Sequence, residues 1–173
     1  MKTKPLPLAL PLALLLLLTS STVGHGQSIE DNWHQWRGPN ANGVSPTAVP
    51  PVSWSEDENI KLKVAIDGQG TSTPIIWGDK VFVLTAIKTG QKDASIPDPK
   101  DQPKTNFFDI KRPNEQRAFV VICLDRNTGK EIWRDTAVTK ISHEGAHNDN
   151  DFASASSTTD GHRVYCWFGS AGL

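Results

Sequence analysis

The 173-residue sequence lacks an excess of charge of either sign: 18 lysines and arginines stand against 19 aspartates and glutamates. Proteins that bind nucleic acid concentrate basic residues on one face or in one segment. The sequence has no such basic cluster. The composition therefore gives no support for a nucleic-acid partner.

The sequence also has little cysteine, with Cys123 and Cys166 alone. Both lie within apolar, strand-like runs, which favours two buried free thiols. Export to an oxidising compartment, predicted below, leaves a disulfide between them open. Their spacing gives that pairing no support.

After residue 26 the sequence lacks any segment with a sustained helical period, and its 12 prolines and 13 glycines favour turns. Short runs of alternating, β-branched and aromatic residues recur instead. Residues 118–124 form a nearly continuous apolar run, as in a strand buried on both faces. We therefore predict an all-β fold with strands near residues 60–66, 73–77, 81–86, 118–124, 130–135, 155–159 and 163–168.

Residues 1–26 have the pattern of a signal peptide. Lys2 and Lys4 precede an apolar run over residues 6–18, and small residues including Gly24 and Gly26 follow it. The run is shorter than the roughly 20 apolar residues of a membrane-spanning helix. We predict cleavage near residue 26 and a secreted or periplasmic location. An uncleaved anchor is the alternative.

One pattern occurs twice in the remaining sequence. Residues 78–82 (Gly-Asp-Lys-Val-Phe) match residues 161–165 (Gly-His-Arg-Val-Tyr), and a small-residue segment precedes each copy. Each unit provides four short strands, which predicts the blades of a β-propeller. The copies lie farther apart than the roughly 40 residues of a usual blade. Two insertions, predicted to be irregular loops at residues 88–117 and 136–152, explain the excess.

The segment Val121–Trp133 resembles the repeat of pyrroloquinoline-quinone (PQQ) type propellers, apolar-x-x-Leu-Asp-x-x-Thr-Gly-Lys-x-x-Trp. The residues that match this pattern are Leu124, Asp125, Thr128, Gly129 and Trp133. The resemblance implies that the Asp-to-Gly turn joins the third and fourth strands of a blade. It also implies that Trp133 packs between adjacent blades.

The segment Trp33–Asn40 is similar to the N-terminal signature of secreted bacterial PQQ-like propellers, among them propellers resembling outer-membrane assembly proteins. The resemblance implies an N-terminal arm at residues 27–59, pinned by Trp33 and Trp36, and a partial propeller at residues 60–173. About the first two four-stranded blades are present. A ring closes with at least about four blades, so we expect the chain to be an N-terminal fragment.

The repeat is specific for a fold and weak for a function, because the same blades occur in enzymes and in scaffolds. We expect an exported, non-catalytic scaffold for protein interaction or assembly, with an unknown protein partner and a peripheral association with the cell envelope. We assign no catalytic residue and no cofactor. The alternative is a PQQ-dependent oxidoreductase whose catalytic residues lie beyond Leu173, and only that alternative includes PQQ as a cofactor.

A second alternative is a metal-binding hydrolase. His143-Glu144-Gly145-Ala146-His147 fits the His-Glu-x-x-His pattern, in which a helix brings both histidines to one face to bind zinc. Gly145 within the motif and the Asn-Asp run after it predict a loop instead of a helix. A non-catalytic metal or ligand loop remains an intermediate possibility, because imidazole and carboxylate groups cluster there. Its candidate ligands are His143, His147, Asp149 and Asp151.

Overall fold

The computed structural model describes residues 28–104 and 107–172. The predicted signal peptide lies outside the described residues. Strands dominate the described parts, which contain no α-helix and only short 3-10 turns, at Ile29–Asp31, Pro99–Asp101 and Gly169–Ala171. The all-β prediction is confirmed. No helix within the described ranges is long and apolar enough to cross a membrane.

The strands form two antiparallel sheets. The larger sheet has the order β1-β2-β3-β4, so each strand pairs with the next one along the chain. The smaller sheet pairs β5 with β6. The strand bounds are β1 Ile75–Trp77, β2 Lys80–Lys92, β3 Glu115–Asp125, β4 Glu131–Lys140, β5 Thr158–Thr159 and β6 Val164–Tyr165.

The central hairpin of β2 and β3 is longer than the apolar pattern predicted. Residues 88–92 and 115–117 continue the two strands beyond the apolar run, with a register shift between Lys88 and Lys92. The prediction of an irregular loop across 88–117 is therefore wrong at both ends. Residues 93–104 and 107–114 lie outside the strands.

Two further boundaries differ from the prediction. Strand β4 extends to Lys140, so residues 136–140 belong to a strand and not to the second insertion. The strands predicted at 155–159 and 163–168 shrink to two residues each. Residues 154–157, with a bend at Ala155, and residues 166–168 are irregular backbone instead of strand.

The strand predicted at residues 60–66 is wrong, because this segment pairs with no strand in the described structure. Its apolar residues nevertheless contact the large sheet. Leu62 and Val64 lie beside Gly129, and Ile66 packs against Val120 and its neighbours on β3. The alternation of apolar and polar residues thus indicates that one face of this segment is partly buried. It does not by itself predict a β-strand, because a strand also needs a neighbouring strand with which to form hydrogen bonds.

The core lies on both faces of β3, as the continuous apolar run predicted. On one face Phe119 and Val121 pack with Leu84, Ala153 and Phe168. The ring of Phe119 meets that of Phe168 with centroids 5.3 Å apart. The residues of β3 that point to the opposite face, packed with parts of β2 and with Ile66, are Val120, Ile122 and Leu124.

The N-terminal arm joins the two sheets through consecutive carbonyl groups. The backbone N–H of Ile76 in β1 donates to the carbonyl of Trp33 at 2.8 Å, and that of Thr159 in β5 donates to the carbonyl of His34 at 3.0 Å. Asn32, which is buried, accepts a hydrogen bond at Oδ1 from the N–H of Gly78 at 2.6 Å. The arm is thus held by main-chain bonds to the first strand of each sheet.

The two tryptophans expected to pin the arm differ. Trp33 is partly buried and its ring lies against Gly38. Trp36 is 61% exposed, and Arg37 lies over its ring at 5.5 Å. Trp36 therefore does not pin the arm, and the expectation for this residue is wrong.

Candidate functional site

The candidate site lies at one end of the large sheet, where two loops meet. Strands β2 and β4 run in the same direction, because both are antiparallel to β3. The connections that follow them, residues 93–114 and residues 141–157, therefore leave the sheet at the same end. We call this the loop end, and we name the two connections the first and the second loop.

The two loops pack directly against each other. Gly145 in the second loop lies so close to the backbone carbonyl of Lys111 in the first loop that a Cβ atom would overlap it. The rings of Phe108 and His147 meet edge to face, with centroids 5.2 Å apart. Contacts at Gly145 and at His147 thus hold the second loop against the first.

An open cavity of about 770 Å³ lies beside this contact. Thr71 and Ile110 line it together with residues of the second loop and the segment after β6. The lining contains carboxylate, amide, imidazole and hydroxyl groups and aromatic rings, and none of the described residues that line it is a lysine or arginine. The lining residues from the second loop with polar side chains are Ser142, Glu144, His147, Asn150, Asp151 and Ser154.

The candidate metal ligands occupy different surroundings. His143 is exposed and does not line the cavity, whereas His147 and Asp151 do. Asp151 accepts a hydrogen bond at Oδ1 from the N–H of Ala153 at 2.8 Å, so this oxygen caps the start of the following segment. Asp149 is exposed, with Oδ2 3.5 Å from Nδ1 of His147.

The His147 ring has one defined hydrogen bond. Its Nδ1 accepts from the backbone N–H of Asp149 at 3.2 Å. The same nitrogen lies 3.5 Å from Oδ2 of Asp149, so this residue contacts one side of the ring through both its backbone and its carboxylate.

The His-Glu-x-x-His segment is not helical, since residues 143–147 form bends and irregular backbone. The two histidines consequently do not share a helix face. Within the described ranges no group of three or more His, Cys, Asp or Glu side chains is placed to hold a metal ion. The geometry brings His147 and Asp149 together and leaves His143 apart from them.

The residues of the repeat motif form the β3–β4 turn and pack around it. Oδ1 of Asp125 accepts hydrogen bonds from the N–H groups of Asn127 and Thr128, at 3.0 and 2.7 Å, and from the Thr128 hydroxyl at 2.8 Å. The hydroxyl bond first, and the backbone bonds after it, lower the pKa of Asp125. Gly129 takes a φ of +70°, a conformation that favours glycine.

The other two motif residues face the interior and the space between the sheets. Leu124 is buried in the core. Trp133 contacts the ring of Phe82, with centroids 6.0 Å apart, and lines a cleft of about 360 Å³ that Val164 and Cys166 of the second unit also line. It remains 39% exposed.

Both cysteines are free in the structure. Cys123 is fully buried beside Ile75 and Phe82, and Cys166 is partly buried, with the Ser157 hydroxyl 3.5 Å from its sulfur. Burial raises the pKa of both thiols. The prediction of two free thiols agrees with this geometry.

Sequence reasoning missed the cavity and the carbonyl contacts of the arm. The spacing of His143 and His147 resembles that of metal ligands, which is a sequence signal for this loop. The packing of the loop against residues 108–111 has no local sequence signal. Comparisons with protein-family models, with curated proteins and with solved structures found no match.

Proposed function

We propose that this chain is the N-terminal part of an exported β-propeller of PQQ-type blades that acts as a protein-interaction or assembly scaffold. The observation that carries the proposal is the stacking of two similar units. The Gly161 turn of the second unit lies against the indole of Trp77 in the first. A propeller is built by this kind of radial repetition of small sheets.

The four-stranded sheet supports the same proposal. Its sequential antiparallel order is the connectivity of one blade, and its β3 is buried on both faces as in a sheet that has neighbours on either side. The second unit begins with the same strand, glycine turn and strand, at β5 and β6. Val164 of β6 packs onto the cluster of Ile75, Phe82 and Cys123.

The unpaired segment at residues 60–66 fits the proposal as the outer strand of a neighbouring blade. Its backbone N–H and C=O groups make no hydrogen bond with the described residues. Such groups are a template for pairing with another strand. Its apolar side chains Leu62, Val64 and Ile66 already lie toward the large sheet.

The scaffold role rests on the resemblance and on how the motif residues are used. Asp125, Thr128 and Gly129 shape a turn, and Leu124 and Trp133 pack against neighbours. Each conspicuous residue of the repeat thus has a structural task. Two adjacent aromatic side chains on the first loop, Phe107 and Phe108, are 88% and 63% exposed and offer a contact surface for a protein partner.

Expression of the complete gene product in a bacterial host tests the proposal. We expect mass spectrometry to find a mature N-terminus near residues 25–27 in the exported fraction, and the structure of the purified protein to be a closed ring of similar blades. A photo-crosslinking residue at Phe107 should give a protein adduct in the envelope fraction, and one at the exposed Asp57 should not. Substrate oxidation that depends on added PQQ would replace the scaffold with the oxidoreductase alternative.

A further inference from the structure

The cavity at the loop end is made by parts of the chain that a blade does not need. Strands of one sheet can be joined by connections of two to five residues. Here the first loop spans residues 93–114 and the second spans residues 141–157. Long loops that are ordered within a compact domain commonly carry a function.

The contact between the two loops holds one wall of the cavity in a defined position. Gly145 fits against the carbonyl of Lys111 and the side chain of Ile110 only because it has no Cβ. On the other side of the cavity, Thr71 and Asn150 approach each other, with Oγ1 and Oδ1 3.5 Å apart. The volume of about 770 Å³ lies within the roughly 300–1,000 Å³ of small-molecule sites.

The polar groups of the lining are mostly hydrogen-bond acceptors or hydroxyls. The Glu144 carboxylate has no hydrogen-bond or ion-pair partner within the described ranges, and it can accept from two directions. The Asn150 amide and the Ser154 hydroxyl add both donors and acceptors. The imidazole of His147 adds a further polar group. This set fits a ligand that carries many hydroxyl groups.

The charges of the lining exclude other ligand classes. Phosphate and sulfate groups are bound by arginine, lysine or helix N-termini, and the cavity has neither lysine nor arginine while it carries Glu144 and Asp151. A metal ion needs a cluster of ligands that the described residues do not form. Of the aromatic residues in the lining, Trp167 is 50% exposed and offers apolar surface to the C–H face of a sugar ring.

We propose that the loop-end cavity binds an uncharged oligosaccharide of hexopyranose units. The Glu144 carboxylate and the Asn150 amide hold sugar hydroxyls, and the indole of Trp167 contacts a ring face. The proposal is independent of the scaffold role, although a glycan of the cell envelope would give an exported propeller a site of attachment.

Calorimetric titration of the full chain with cellohexaose, chitohexaose and laminarihexaose tests the proposal. We expect saturable binding of at least one of them. Glu144→Gln and Asn150→Ala should each weaken that binding about tenfold, the loss expected for one strong hydrogen bond. Gly145→Val should abolish it by pushing the loops apart. Asp57→Asn, an exposed acid-to-amide change elsewhere, should leave it unchanged, and circular dichroism should show that every variant keeps its strands.

Two results would overturn the proposal: no binding of any hexasaccharide by a folded chain, or binding that Glu144→Gln and Asn150→Ala leave intact. Tighter binding of an oligolysine peptide than of every sugar would also overturn it, since the cavity would then recognise cations. The proposed scaffold fails on different evidence, namely the ring structure and the Phe107 adduct.

Discussion

Gly161 lies directly beneath the indole ring of Trp77, so close that a Cβ atom at position 161 would overlap the ring. Its φ of +88° also lies in the region that L side chains rarely adopt. Glycine is therefore favoured at position 161 for two reasons: a Cβ atom would overlap the indole ring, and the backbone has a positive φ. The position lies at the contact between the two repeat units. Trp77 in turn meets the His34 ring edge to face, with centroids 6.5 Å apart.

We predict that Gly161→Ala destabilises the chain by more than the backbone term alone. A positive φ costs an L residue about 1–2 kcal/mol, and overlap with the indole adds to that cost. Gly90→Ala is the matched control, because Gly90 has a φ of +79° but no heavy atom within 4 Å of its added Cβ. Urea unfolding followed by fluorescence measures both. Equal losses in the two variants would mean that the Trp77 contact contributes nothing.

The sequence predicted the apolar strands well and their polar ends poorly. Residues 81–86 and 118–124 carry alternating or continuous apolar side chains, which report burial directly. Residues 88–92 are exposed, and the strand continues there because Lys88 pairs with Arg117 and Lys92 with Glu115, on either side of a register shift. Main-chain pairing between polar residues leaves no hydrophobic signal, so residues 88–117 were expected to be irregular.

The opposite error occurred at residues 60–66. The alternation of Ile60, Leu62, Val64 and Ile66 correctly indicated one apolar face, which partly contacts the large sheet. It could not indicate a partner strand, because a ladder depends on a second segment. Sequence patterns therefore predicted the contact face of this segment and not its pairing.

The cavity is the product of tertiary packing. The common direction of β2 and β4 would place both insertions at one end of the sheet, once the strand order is known. The fit of Gly145 against Lys111 depends on the exact path of both loops. The spacing of His143 and His147 fits a zinc-binding helix, which the non-helical backbone does not support, although the loop that contains both residues lines the cavity.

We predict that Asn32→Ala loosens the N-terminal arm. Asn32 is 4% exposed, and its removal leaves the N–H of Gly78 without its partner. A buried donor left unpaired costs about 1–3 kcal/mol. The variant should unfold at lower urea concentration and be cleaved faster by trypsin at Arg37. Asn40→Ala, an exposed change on the same arm, should behave as wild type. If both variants are cleaved at the wild-type rate, the Asn32 contact does not hold the arm.

The Asp160 carboxylate in the turn before β6 is expected to stabilise the fold in a pH-dependent way. Asp160 accepts hydrogen bonds at Oδ1 from the N–H groups of Arg163 and His162, at 2.7 and 2.8 Å, and at Oδ2 from the Tyr165 hydroxyl at 2.9 Å. These bonds, that of Arg163 first, lower its pKa from 3.8 to about 2. Because the folded-state pKa is the lower one, the stabilisation is complete above about pH 4 and is lost as the pH falls toward 2.

Asp160→Asn should therefore remove part of the pH dependence of unfolding between pH 4 and 2. Thermal unfolding at a series of pH values measures it, and a carboxyl titration by NMR gives the midpoint of Asp160 itself. Asp57→Asn, whose carboxylate makes no hydrogen bond or ion pair with the described residues, should leave the slope unchanged. A midpoint at the ordinary value for Asp160 would show that the turn does not form in solution as described.

The two thiols should react slowly in the folded chain and quickly in the unfolded one. Burial raises the pKa of Cys123 and of Cys166, so less of the reactive thiolate is present at pH 8 than for an exposed cysteine. Cys123 is 0% exposed, whereas Cys166 is only partly buried.

Titration with a thiol-specific chromogenic reagent should count two thiols in urea. In native buffer we expect the Cys166→Ser variant to react more slowly than Cys123→Ser, because only the latter keeps the more accessible sulfur. A count of zero in urea without reductant would instead reveal a disulfide between the two residues, and the description of both cysteines as free would be wrong.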